Sequence, residues 1–126
     1  MEQRTREYRV PPDADGVRAA RGHVRDALAS ITDPETLGRV ELVVSELVTN
    51  SVRHGPGHPI TLRLAASDAG EILGTVEDQG AGVVALRDQD RSAIGGLGLV
   101  LVDALTTAWG VHPDSTHVWF KLAATG

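Results

Sequence analysis

The sequence predicts an α+β domain: a two-layer α/β sandwich whose helices cover one face of a mixed, mostly antiparallel sheet. Three observations predict it. Two stretches in the first half, about residues 14–31 and 34–54, repeat apolar residues at helical spacing. Short alternating runs follow, at residues 60–66 and 71–78 and again near 107–111 and 117–122. Each pair of runs is joined by a turn of a few residues, which suits antiparallel neighbours and not parallel ones.

Taken in order, residues 7–10 (Glu7-Tyr8-Arg9-Val10) read as a short strand ended by Pro11-Pro12. Asp13 or Asp15 caps a first helix, along which Val17, Ala20, Val24, Ala27, Leu28 and Ile31 keep helical spacing. Asp33-Pro34 supplies an N-cap and a first-turn proline for a second helix. Its inward positions are Leu37, Val40, Val43, Val44, Leu47, Val48 and Ser51, and Gly55-Pro56-Gly57 stops it. In the run that follows, Ile60, Leu62 and Leu64 face one way and Thr61 and Arg63 the other, and Ser67-Asp68-Ala69-Gly70 turns into the next strand. Residues 79–96 read as a loop. A third helix, from about 97 to 105, is apolar nearly all round and is expected to be well buried. Pro113-Asp114-Ser115 turns between the last two strands. With few aromatics, the core must be built from Val, Leu, Ile and Ala.

At 126 residues the chain is expected to form one domain, residues 1–126, with one sizeable core. Its net charge is −5, with eleven arginines and a single lysine, which argues against non-specific nucleic-acid binding. No apolar run reaches the roughly 20 residues that span a bilayer. The N-terminus carries no signal-peptide core, so a soluble cytoplasmic protein is expected. Cysteine is absent, which removes disulfides, thiol nucleophiles and cysteine-ligated zinc. There is no His-Glu-x-x-His pair, and Lys121 does not follow a phosphate loop.

Three stretches carry chemistry. Glu46 and Asn50 lie four residues apart on the second helix and therefore share a face, roughly 6 Å apart along the axis. Asn50, the only asparagine, can offer a carbonyl oxygen to Mg²⁺, and Glu46 can take a proton from a hydroxyl. The same pair also fits a solvated helix face. Arg53 and His54 follow; either can reach an anionic oxygen or simply complement the helix C-terminus. Asp78 ends an apolar strand before Gly80 and Gly82: a carboxylate there can accept from an adenine amino group, though Asp-x-Gly is also a common turn. Gly95-Gly96-Leu97-Gly98-Leu99 leads into the third helix, whose first N–H groups can bind phosphate without lysine, or it is a tight loop on the sheet.

In this order the three motifs resemble the GHKL ATPase superfamily, which includes gyrase, the histidine kinases and MutL, and whose ATP-binding domain is the Bergerat fold. Glu46-x-x-x-Asn50 resembles the N box, Asp78-x-Gly80-x-Gly82 the first glycine box, and Gly96-x-Gly98-Leu99 the second. The resemblance spans nearly the whole chain. It is closest to the single-domain anti-sigma factor serine/threonine kinases, through Glu46-Leu-Val-Thr-Asn50-Ser-Val-Arg-His54-Gly and Gly98-Leu-Val-Leu-Val-Asp-Ala-Leu105. It implies ATP and Mg²⁺ as ligands, Asn50 chelating the metal and Glu46 as general base. It further implies Asp78 on the adenine amino group and Gly80 and Gly82 shaping the base pocket. Gly96, Leu97, Gly98 and Leu99 would lie at the phosphates, with Arg53 within reach of them. A lid over residues 83–94 would carry Arg87 and Arg91. The implied partners are a sigma factor and a STAS-type anti-sigma-factor antagonist, and the implied assembly is a homodimer.

One departure stands out. Related sequences often carry Gly-Lys-Thr before the Val-Trp-Phe strand, whereas this chain reads Ser115-Thr116-His117, and His117 replaces the lost charge only when protonated. Two functions therefore follow. One is a kinase that phosphorylates the antagonist on Ser or Thr and sequesters the sigma factor. The other is a nucleotide-gated protein-binding module without chemistry. Glu46 favours the first and the missing lysine the second.

Overall fold

The computed structural model describes residues 4–55, 57–78, 94–112 and 117–123. Its elements are β1 (Arg4–Val10), α1 (Ala14–Leu28), α2 (Pro34–His54), β2 (Ile60–Ala66), β3 (Glu71–Glu77), α3 (Ile94–Leu105), β4 (Ala108–Val111) and β5 (Val118–Ala123). The capping question is decided for Asp13: its carboxylate accepts from the Gly16 N–H at 3.2 Å, while Asp15 sits in the first turn and pairs with Arg18. Asp33 caps α2 as expected, accepting from the Thr36 N–H at 2.9 Å and the Thr36 hydroxyl at 2.6 Å. The turn between the helices makes them antiparallel neighbours, tied by Arg21 to Ser45 at 3.0 Å and by a two-pronged Arg25–Glu41 pair at 3.1 Å. The first helix closes at Leu28, so Ile31 falls in that turn and is 56% exposed instead of continuing the buried stripe.

The five strands form one sheet in the order β1-β2-β3-β5-β4. Every neighbouring pair among the described strands is antiparallel, so the mixed sheet expected from the sequence carries no parallel pair. The connections explain this. Two helices between β1 and β2 return the chain reversed. β3 and β4 do run in the same direction, with the described helix α3 between them in the chain, but β5 inserts between them in the sheet. β1 is longer than the sequence suggested because its whole length, Arg4↔Ala66 to Val10↔Ile60, pairs with β2. Arg4 and Arg6 are tolerated there because it is an edge strand.

One face of the sheet carries Ile60, Leu62, Leu64, Ile72, Val76, Val118, Phe120 and Leu122 into the core, with the Val and Leu stripe of α2 laid over it. Burying such a stripe contributes about 25 cal/mol per Å² of apolar area removed from water. Gly74 in β3 makes room for the aromatic ring of this face: a Cβ there would stand 2.3 Å from Phe120 Cζ. The helices lie in the order α1, α2, α3 across the sheet, α1 against β1 and β2, α2 against β3 and β5, α3 against α2 and β4. The third helix departs from expectation in two ways. It begins at Ile94, so Gly95, Gly96 and Gly98 lie within it and not before it. Nor are all of its described side chains buried: Val102 is, but Val100 is 62% and Leu101 39% exposed.

Candidate functional site

Two chain ends converge at one edge of the sandwich: the C-terminus of α2 and the C-terminus of β3. Asp78, the residue after β3, is only 5% exposed, an unusual placement for a carboxylate. Its side chain lies over the last turn of α2. A Cβ built on Gly55 would come within 2.8 Å of Asp78 Oδ2 and 2.4 Å of the Ser51 carbonyl oxygen, to which the Gly55 N–H already donates at 2.7 Å.

Glu46 and Asn50 stand on α2, half-buried, about 13 and 7 Å before Gly55 along the axis at 1.5 Å per residue. At 100° per residue they fall on the flank opposite Glu41 and Ser45, the side chains that hold α1. That flank faces α3, which packs on α2. Glu46 and Asn50 thus lie on the α3 side of α2, and Asp78 lies over the end of the same helix. A helix start offers four N–H groups with no partner inside the helix, and the first turns of α3 hold Gly95, Gly96 and Gly98. Such donors suit an anionic group, and a buried carboxylate acceptor suits an amino group.

Arg53, about two turns beyond Glu46, is exposed and lines a groove of about 420 Å³ on the α1 side, with Arg18, Arg21 and the apolar Val17 and Val52. Of these, Arg18 and Arg21 were not singled out in the sequence. Their pairing with Arg53 depends on the antiparallel α1–α2 contact, which no local pattern encodes. His117 lies off the helix side. It shares the open face of the sheet with Trp119 and Lys121, near Glu77 and Arg63, and its ring meets His112 with centroids 4.4 Å apart. Burial holds its pKa below the usual 6.5; His112 and Arg63 lower it further and Glu77 opposes them. Neutral at physiological pH and facing away from the helices, it does not supply the charge that a lysine would. Gly80, Gly82, the lid with Arg87 and Arg91, and Thr116 lie outside the described residues, as do the side chains of Gly96, Leu97, Gly98 and Leu99.

Gly55 ends α2 as its C-cap, with φ −81° and ψ 178°, an extended backbone open to any residue. The signal was present in Pro56, because a proline forces its predecessor into the extended region. A glycine at such a position is needed for space, not for conformational freedom.

Among the described residues, no group of three or more His, Asp or Glu side chains is arranged to hold a metal, and no helix is long and apolar enough to cross a membrane. The family model described as the histidine kinase-like ATPase domain matches residues 10–122. No curated protein matches the chain. Among solved structures, the chain is similar to the RsbU and RsbW domains of Rv1364c from Mycobacterium tuberculosis, with a TM-score of 0.69 and 20% identity. The similarity covers 94% of this chain and 31% of that one.

Proposed function

Since the chain belongs to the histidine kinase-like ATPase family, we propose that it binds ATP with Mg²⁺ between α2 and α3 and acts as an anti-sigma regulatory kinase. The observation that carries this reading is the buried Asp78 carboxylate, held over the end of the helix that bears Glu46 and Asn50. Asp78 accepts from the adenine amino group, with Gly80 and Gly82 beside the base. The backbone of Gly96, Leu97, Gly98 and Leu99 holds the phosphates, and Asn50 gives its carbonyl oxygen to Mg²⁺. Mg²⁺, when bound, neutralises charge on the phosphate oxygens. Glu46 takes the proton of a Ser or Thr hydroxyl presented by a STAS-type antagonist, so that its oxygen attacks the γ-phosphorus and ADP leaves. Arg53 stands at the outer rim, where it meets the incoming protein or the terminal phosphate. A sigma factor is the second partner, held by a surface that need not include the base.

The test separates chemistry from binding. Glu46→Gln should lower phosphotransfer to the antagonist by about 10²–10⁴-fold while ATP affinity stays nearly intact, since the amide keeps the shape and cannot take the proton. Asn50→Ala should damage both. Wild-type phosphotransfer by Glu46→Gln defeats the catalytic assignment. Tight ATP binding by the unaltered protein with no transfer to any bound partner favours the nucleotide-gated module, a reading supported by the absence of a lysine at Thr116 and by the neutral His117.

A further inference from the structure

We propose that Gly55 is a positioning residue for base selectivity: its missing side chain is the space in which the Asp78 carboxylate is set against the end of α2. This rests on the reading of Asp78 as the adenine acceptor. The backbone of Gly55 is extended, so no conformational demand requires glycine there. The demand is steric and comes from two sides. A Cβ would lie 2.4 Å from the Ser51 carbonyl oxygen, and 2.8 and 3.2 Å from Oδ2 and Cγ of Asp78. Contacts under about 3 Å force a displacement, and the Ser51 oxygen is fixed by its bond from the Gly55 N–H at 2.7 Å. The Ser51 contact can be relieved only by a shift of the backbone, whereas the Asp78 contact is relieved by displacing the carboxylate, the only side-chain atoms of the set.

The value of the buried carboxylate lies in what it reads. A carboxylate fixed at a strand end accepts from a 6-amino group and repels a 6-oxo group; moved by a few tenths of an ångström, it loses directional contact with the first. Hydrogen bonds weaken steeply with such misalignment. Gly55 thus acts through Asp78 on the choice of base and not on the phosphates.

The experiment titrates ATP and inosine triphosphate, which carries an oxygen in place of the amino group, against the intact protein and its variants. Wild type should prefer ATP by about tenfold or more, the range expected when a buried acceptor loses its donor. Gly55→Ala should lose most of that preference while still binding inosine triphosphate about as wild type does. Adding Gly55→Ala to Asp78→Asn should reduce the preference no further. A merely structural role would weaken both nucleotides equally, and retention of the wild-type preference by Gly55→Ala overturns the proposal. Equal binding of the two nucleotides by wild type instead overturns the adenine reading itself, and this proposal with it. Should Gly55→Ala not fold, thermal melts of Gly55→Ala/Asp78→Ser decide. Recovery relative to Gly55→Ala supports the carboxylate contact as the constraint. No recovery assigns the glycine to Ser51 alone and ends the idea.

Discussion

Helices α2 and α3 lie side by side in one layer and are both rich in Leu and Val, yet they are built on opposite terms. α2 carries its own instructions: an Asp33 cap, Pro34 and Glu35 in its first turn, Arg53 and His54 in its last, and an inward stripe that is buried along its length. α3 has no acid in its first turn and no base in its last, three glycines in its first half, and an outer side that leaves Val100 and Leu101 in water. Each glycine in a helix interior costs about 1 kcal/mol relative to alanine. α2 therefore behaves as a scaffold, while α3 depends on what packs against it. The contrast places Glu46 and Asn50 on the capped helix and the backbone proposed to hold phosphates on the glycine-bearing one. A site assembled in this way can be ordered by its ligand, since ligand binding adds RT ln(1 + [L]/Kd), roughly 2.7 kcal/mol at 100 Kd.

The contrast is most sharply broken or upheld in the core. Leu47, 2% exposed, fills the space between α2 and the sheet, so Leu47→Ala should cost about 2–5 kcal/mol in denaturant unfolding. The matching change on the neighbouring helix, Leu101→Ala, should cost less than about 1 kcal/mol. Equal losses at the two positions would mean that α3 is as tightly held as α2. A smaller effect tests the purpose of the glycines. Gly98→Ala should raise thermal stability by up to about 1 kcal/mol while weakening ATP binding, because the added methyl strengthens the helix and shields the backbone. Gains in both properties would show that the glycine serves neither phosphate access nor close approach.

The smallest effect concerns the hairpin of β4 and β5, on which α3 rests through β4. His117 has a lowered pKa in the folded chain, so the unfolded chain binds the proton first as pH falls. Its contribution is complete above the unfolded value of 6.5 and declines as pH drops from there towards the folded value. Melting temperatures measured from about pH 7.5 to about pH 5.5 should fall more steeply for wild type than for His117→Gln. Parallel curves would show that burial of the ring at the β4–β5 hairpin carries no linkage.

What was legible in the sequence was local. Caps, helix spans, strand alternation and the order of the three motifs rest on residues within a turn or two of each other, and Asp33-Pro34, the α2 stripe and the alternation of Ile60, Leu62 and Leu64 stand as the spacing implied. Where the pattern lacked a period, as in the uniformly apolar α3, the sequence could not tell a buried helix from one with an outer face. The rest was decided by approaches between residues far apart in the chain. The insertion of β5 between β3 and β4 makes every neighbouring pair antiparallel. The same assembly turns His117 to the open face, brings Arg18 and Arg21 beside Arg53, and sets Asp78 against Gly55. Periodicity fixes which face of an element is apolar, because that depends on the backbone repeat alone. Which element covers that face, and which atom fills the space a glycine leaves, depends on long-range packing that only the assembled tertiary structure determines.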